Sequence, residues 1–196
     1  MSLASGAASR KMRAFAVVQR GFGMKGWFGR IAASVCAAVI LIASGDNARA
    51  DFGGFVTGGF GGFDIFHNYT AAEGRLEYRF AQRLFFLKPL IGTFFTNRGS
   101  VYTYGGFRIE IPLGGRFMLI PIATVGDYEK GNGKDLGAHI EFKTGVELDV
   151  IFDNGIRIGP AFDHVSNAGI GKKNPGEENA MLMFSFPIGL LAGSGR

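Results

Sequence analysis

Ile140-Glu141-Phe142-Lys143-Thr144-Gly145-Val146-Glu147-Leu148-Asp149-Val150 alternates in two registers. Ile140, Phe142, Val146, Leu148 and Val150 occupy one register, and Glu141, Lys143, Glu147 and Asp149 occupy the other. Successive side chains of a β-strand point to opposite faces, so this segment reads as a strand with one apolar and one charged face. A second segment repeats the pattern: Glu73, Arg75, Glu77 and Arg79 alternate with Gly74, Leu76, Tyr78 and Phe80. From Asp51 onward no stretch holds an apolar 3.6-residue period, and Gly, Phe and β-branched residues abound, which argues against helix.

Working outward from 140–150, eight such segments can be drawn: 52–64, 72–80, 84–96, 101–111, 116–125, 138–151, 155–166 and 178–188. Most are close to the 9 to 11 residues that a tilted strand needs to cross a bilayer. Connections at 81–83, 112–115 and 152–154 are short, whereas those after the first, fifth and seventh segments are longer and polar. Short turns at one end and long loops at the other predict an all-β fold, an eight-stranded antiparallel transmembrane β-barrel of the outer-membrane type. A soluble sandwich also alternates. Charged residues interleaved with Phe, Leu and Val favour the barrel, because closure satisfies every backbone group in lipid. Eight strands leave an interior that side chains fill. Glu73, Arg75, Glu77, Arg79, Arg108, Glu110, Glu141, Lys143, Glu147, Asp149 and Arg157 therefore predict a salt-bridged plug and not a pore. On this reading, charges introduced on the apolar face, at Phe142, Leu148 or Ile158, should harm assembly more than changes at Lys143 or Glu147.

The first fifty residues read differently. Arg10, Lys11, Arg13, Arg20, Lys25 and Arg30 precede an apolar run at 31–43, which ends in Ala48-Arg49-Ala50. This is the three-part pattern of a secretory signal peptide cleaved after Ala50, and Met24 opens a more ordinary version of it. The domains are thus a signal peptide at 1–50 and a barrel at 51–196. The whole chain carries 21 Lys and Arg against 16 Asp and Glu, but the signal holds seven of the bases and one of the acids. The remainder has a net charge of −1, so the excess positive charge does not imply nucleic acid. The single cysteine, Cys36, lies in the signal, which leaves the barrel without thiol chemistry.

One segment carries chemistry. In 155–166 the row Ile156, Ile158, Pro160, Phe162 continues into His164 and Ser166, so both polar residues extend the lipid-facing row. On the eighth segment Glu178 shares its register with Ala180, Leu182, Phe184, Phe186 and Ile188, while the adjacent Glu177 has the other parity. Antiparallel pairing across 167–177 would bring Glu178 beside His164 and Ser166 at the external rim, facing the outer leaflet. Ionisable groups facing lipid are costly and mark functional sites. Serine, histidine and a carboxylate are the parts of an acyl-transfer triad, and Asn167 with loop N–H groups could donate to an oxyanion. A Ser and a His at a strand end can also sit at a wet rim without catalysing anything.

The run His164-x-Ser166-Asn167-Ala168, with Asn174-Pro175-Gly176 and then Glu178, resembles the lipid A 3-O-deacylase (PagL) family. The resemblance implies an eight-stranded outer-membrane barrel that removes an ester-linked acyl chain from lipid A of lipopolysaccharide without a metal or cofactor. By matching position it implies Ser166 as nucleophile, His164 as base, Glu178 as orienting acid, Asn167 as an oxyanion contributor and Asn174 as a residue shaping the loop. The expected partners are lipopolysaccharide and outer-membrane lipids, and a homodimer is left open. The competing reading is a non-catalytic structural or adhesive barrel; a soluble periplasmic lipid-binding barrel is a third. Among features set aside, the Gly-Gly-Phe run at 52–63 lacks the following helix that a nucleotide site needs, and is read as room inside the barrel. His67 and His139 are read as isolated, without acidic partners at ligand spacing. Lys130, Lys134, Lys172 and Lys173 are read as solvated, or as contacts for lipid A phosphates.

Overall fold

The computed structural model describes residues 53–191, so the signal-peptide reading at 1–50 lies outside the described residues. Nine strands follow in order: β1 (Gly54–Phe63), β2 (Ala71–Phe80), β3 (Lys88–Thr96), β4 (Val101–Arg108), β5 (Ile111–Gly114), β6 (Phe117–Glu129), β7 (Ile140–Ile151), β8 (Arg157–Ser166) and β9 (Glu177–Pro187), then a one-turn helix α1 (Ile188–Leu191). The sheet runs β4-β3-β2-β1-β9-β8-β7-β6-β5, and a further β4–β6 pairing closes it. Every ladder is antiparallel. β4 and β5 both pair with β6 and form one broken stave, giving a closed eight-stave barrel, as the alternation implied.

The break and the strand ends are where sequence and structure differ. The expected fourth strand, 101–111, is interrupted at 109–110, where the Ile109 N–H still donates to Pro121 O at 3.0 Å. Beyond it the β5–β6 register shifts between Pro112 and Gly114; proline has no N–H to give to a ladder. The expected fifth strand, 116–125, continues to Glu129 because Tyr128 turns inward and donates its hydroxyl to Lys134 O at 2.8 Å. Gly126 and Asp127, poor strand formers, had masked that extension. The third strand starts at Lys88 rather than 84: Leu84 and Leu87 exchange backbone hydrogen bonds of 2.8 and 3.0 Å, with Phe85 at φ 57° between them.

The charged register does face inward. Arg75 bridges Glu73, at 2.7 Å, and Asp163. Arg79 holds Glu147 through two parallel bonds of 2.8 and 2.7 Å and reaches Glu77 with Nε at 2.8 Å. Lys143 pairs with Glu77 and lies 4.0 Å over the Tyr104 ring. Glu110 gathers Lys88, Arg108 and Arg157. Around the ions pack Phe63, Phe94, Tyr102, Tyr104 and Tyr128. Bidentate guanidinium–carboxylate pairs fix geometry, and inside a closed wall a charge is costly without its partner; of the expected plug, Glu141 and Asp149 are buried but join no salt bridge among the described residues. The inner face is thus less permissive than its composition alone suggested, and changes at Lys143 and Glu147 are expected to be costly as well. The other register carries Phe60, Leu76, Phe95, Phe142, Val146, Leu148 and Phe162, all exposed on the outside.

Glycines of β1 serve the β1–β9 closure. A Cβ on Gly61 would stand 2.1 Å from Ala180 O, and one on Gly59 would stand 2.3 Å from Met183 Sδ. The glycine-rich run makes room for the buried Met181 and Met183, in keeping with its reading as space inside the barrel.

Candidate active site

The connections at 64–70, 97–100, 130–139 and 167–176 gather at one end of the barrel, and β8 delivers its last residues there. Along β8 burial alternates: Asp163 and Val165 point into the barrel, whereas Phe162, His164 and Ser166 point out. β7 places Thr144 opposite His164 and Phe142 opposite Ser166, and β9 places Glu178 opposite His164. Glu178 Oε1 lies 3.1 Å from His164 Nδ1, which leaves Nε2 as the unshared ring nitrogen. The neighbouring Glu177 turns inward, is fully buried and accepts from the Asp64 N–H at 3.4 Å and from Asn179 Nδ2 at 3.1 Å. Strand parity alone separates the two acids. Ser166 shares the outward row with His164, but among the described residues no hydrogen bond joins their side chains. Such bonds are often long or misaligned before substrate arrives.

The connection 167–176 is built around Asn167. Its side chain is buried, donating to Leu136 O and to Lys173 O, both at 2.8 Å, and accepting from the Gly169 N–H at 2.9 Å. Its backbone N–H donates to Asn174 Oδ1 at 3.0 Å. The structure therefore places the donors of Asn167 in loop carbonyls and in Asn174, and turns its amide away from the face bearing Ser166. The next residue, Ala168, takes φ 53°, a left-handed conformation uncommon for a residue with a side chain, and its N–H has no partner among the described residues. Gly176, at φ 59°, packs against the imidazole: a Cβ there would come 2.8 Å from His164 Cε1 and 3.3 Å from Nε2. Lys173 pairs with Asp135 at 3.0 Å across two loops, and that hydrogen bond lowers the Asp135 carboxyl below its ordinary range. Loss of the Asn167 amide should loosen this connection: Asn167→Ala is expected to cost roughly 1 to 3 kcal/mol, the usual penalty for stranding buried polar partners, seen as a lower unfolding midpoint in detergent.

Neither His67 nor His139 is isolated, contrary to the reading of the sequence. His67 Nδ1 lies 3.2 Å from Asp64 and 3.5 Å from Glu178 Oε2. His139 Nδ1 lies 3.3 Å from Glu129 and 3.8 Å from Asp127. Asp64, His67 and Glu178 offer atoms within 4.8 Å of one another, but Lys134 Nζ already meets Asp64 at 2.6 Å and supplies the cation there. Lys134 is accordingly buried, not solvated. Closure of the barrel, which sets β1 beside β9, is the signal that could have placed the connection 64–70 next to Glu178.

Over residues 49–187 the sequence matches the family described as lipid A 3-O-deacylase (PagL). The chain belongs to this family. It is an outer-membrane β-barrel enzyme, an ester hydrolase of the lipid A 3-O-deacylase type. No curated protein matches it. Among solved structures, the crystal structure of the outer membrane enzyme PagL is similar at 19% identity with a TM-score of 0.49, covering 68% of this chain and 99% of that one. A de novo designed transmembrane β-barrel (9% identity, TM-score 0.47) covers 68% of this chain and 95% of its own. The Yersinia pestis outer membrane protein Ail (10%, 0.44) covers 68% of this chain and 99% of its own.

Proposed function

We propose that this lipid A deacylase works through Ser166, His164 and Glu178, with the site at the external rim of the barrel against the outer leaflet. The observation that carries the reading is the 3.1 Å contact of His164 Nδ1 with Glu178 on the lipid-facing row that ends in Ser166. Glu178 accepts a hydrogen bond from Nδ1–H and fixes the tautomer, so Nε2 is free to take the Ser166 proton as Oγ attacks the ester carbonyl. The imidazolium then protonates the departing sugar oxygen, and water, deprotonated by the same nitrogen, releases the acyl chain from Ser166. Because every N–H of Asn167 is engaged, its contribution to the oxyanion is to hold the loop, and the free Ala168 N–H is a candidate donor. Asn174 holds the Asn167 backbone and so shapes the same loop. The acyl chain would lie along the exposed apolar row that includes Phe142 and Phe162.

Mass spectrometry of lipid A from cells with and without the protein tests this. Loss of one hydroxyacyl chain is expected, and an unchanged spectrum under several membrane conditions would count against it. Gly176→Ala supplies a local check: the added methyl must displace the His164 ring or the loop. At least a ten-fold fall in turnover is expected, with heat-modifiable gel mobility retained. Full activity in that variant would mean that the ring is not used in this position.

A further inference from the structure

We infer that His67, on the connection between β1 and β2, is a positioning residue that braces Glu178 from the side opposite His164. This rests on the reading of Glu178 as the orienting acid. The two carboxylate oxygens of Glu178 have different neighbours: Oε1 meets His164 Nδ1 at 3.1 Å, and Oε2 faces His67 Nδ1 at 3.5 Å. Oε2 is buried and has no hydrogen bond, so a donor placed before it has an open acceptor to satisfy. With a proton on Nδ1, His67 can serve both Glu178 and Asp64, which lies 3.2 Å away.

The connection carrying His67 is itself fastened to the site. The Ile65 N–H donates to Glu178 O at 3.0 Å, at the very residue being braced. The His67 N–H donates to Asp64 O at 3.2 Å, and Thr70 Oγ1 donates to the carbonyls of both Asp64 and His67. Asp64, at φ 53°, receives the Tyr69 N–H at 3.0 Å and Lys134 Nζ at 2.6 Å. The charge of Asp64 is thus balanced by Lys134, so Asp64 does not need His67 as its cation although the imidazole also lies beside it. A carboxylate gripped at one oxygen only can rotate about its last bond; gripped at both, it keeps Oε1 on His164. Sequence adjacency does not announce this arrangement, since 111 positions separate the two residues and only closure of β1 on β9 unites them.

The test is a double-mutant cycle on lipid A turnover in detergent micelles, with heat-modifiable mobility as the folding control. His67→Ala is expected to lower kcat about ten-fold with KM unchanged, as for loss of one charge-assisted bond. His67→Asn, whose amide nitrogen falls near the place of Nδ1, should recover most of it. In a Glu178→Ala background, His67→Ala should have no further effect, because the group it braces is gone. Unchanged kcat in His67→Ala, while Glu178→Ala is impaired, would overturn the brace and leave the triad standing. An equal loss in both backgrounds would also overturn it, by showing a general structural role. If Glu178→Ala itself were fully active, the triad reading would fall and the brace with it.

Discussion

Ser166→Ala and His164→Ala are each expected to abolish deacylation, by about 10⁶-fold in kcat on the scale seen when a serine hydrolase loses its nucleophile or base, while Glu178→Ala should cost about 10⁴-fold. Both outward side chains stand at the rim, where neither fills the interior, so the barrel should keep its heat-modifiable mobility. Because the three act as a unit, the Ser166→Ala/His164→Ala double variant should be scarcely worse than either single one. Lipid A turnover in micelles, on proteins shown to be folded, measures all four. A folded, active Ser166→Ala protein would eliminate the proposed nucleophile. If Glu177→Ala were impaired and Glu178→Ala were not, the acid would move to the inner face, where Glu177 is fully buried. The imidazole contact at 3.1 Å would then have no catalytic meaning.

The fold was legible because period-two alternation is a local property. The even register of 140–150 lies on the outside and the odd register in the ionic core, as chain geometry requires. The outward row of β8 followed by the same count, and so did the inward place of Glu177 and the outward place of Glu178, since a slip of one residue reverses every side chain. Strand ends were less legible: Gly126 and Asp127 disguised the last turn of β6, and the break at 109–110 has no signal beyond the proline that follows it. What the alternation could not show was which loop lies against which. His67 and Lys134 enter the site through contacts 111 and 70 residues long in sequence, to Glu178 and to Asp64. In the sequence Asn167 reads as an oxyanion donor because it stands beside Ser166. Its parity, which turns it inward with Asp163 and Val165, assigns its hydrogen bonds to the loop instead.

The same inward parity sets the largest expected effect on stability. Arg79 is fully enclosed and supplies Glu147 with two hydrogen bonds and Glu77 with one. Arg79→Ala would leave Glu147, stripped of its guanidinium, beside the buried Asp149. Removing one member of a buried ion pair costs roughly 3 to 5 kcal/mol, because the other charge stays uncompensated. On the outside, Val146→Lys, midway along β7, should cost roughly 2 to 4 kcal/mol at bilayer depth, so the two faces are expected to be comparably intolerant. Replacing Arg79 and Glu147 together, by Met and Leu, should recover most of the loss, since a matched apolar pair leaves neither ion behind. Urea unfolding in detergent or vesicles, followed by heat-modifiable mobility, gives the comparison. An Arg79→Ala barrel as stable as the parent would show that Glu147 does not depend on this guanidinium for its compensation.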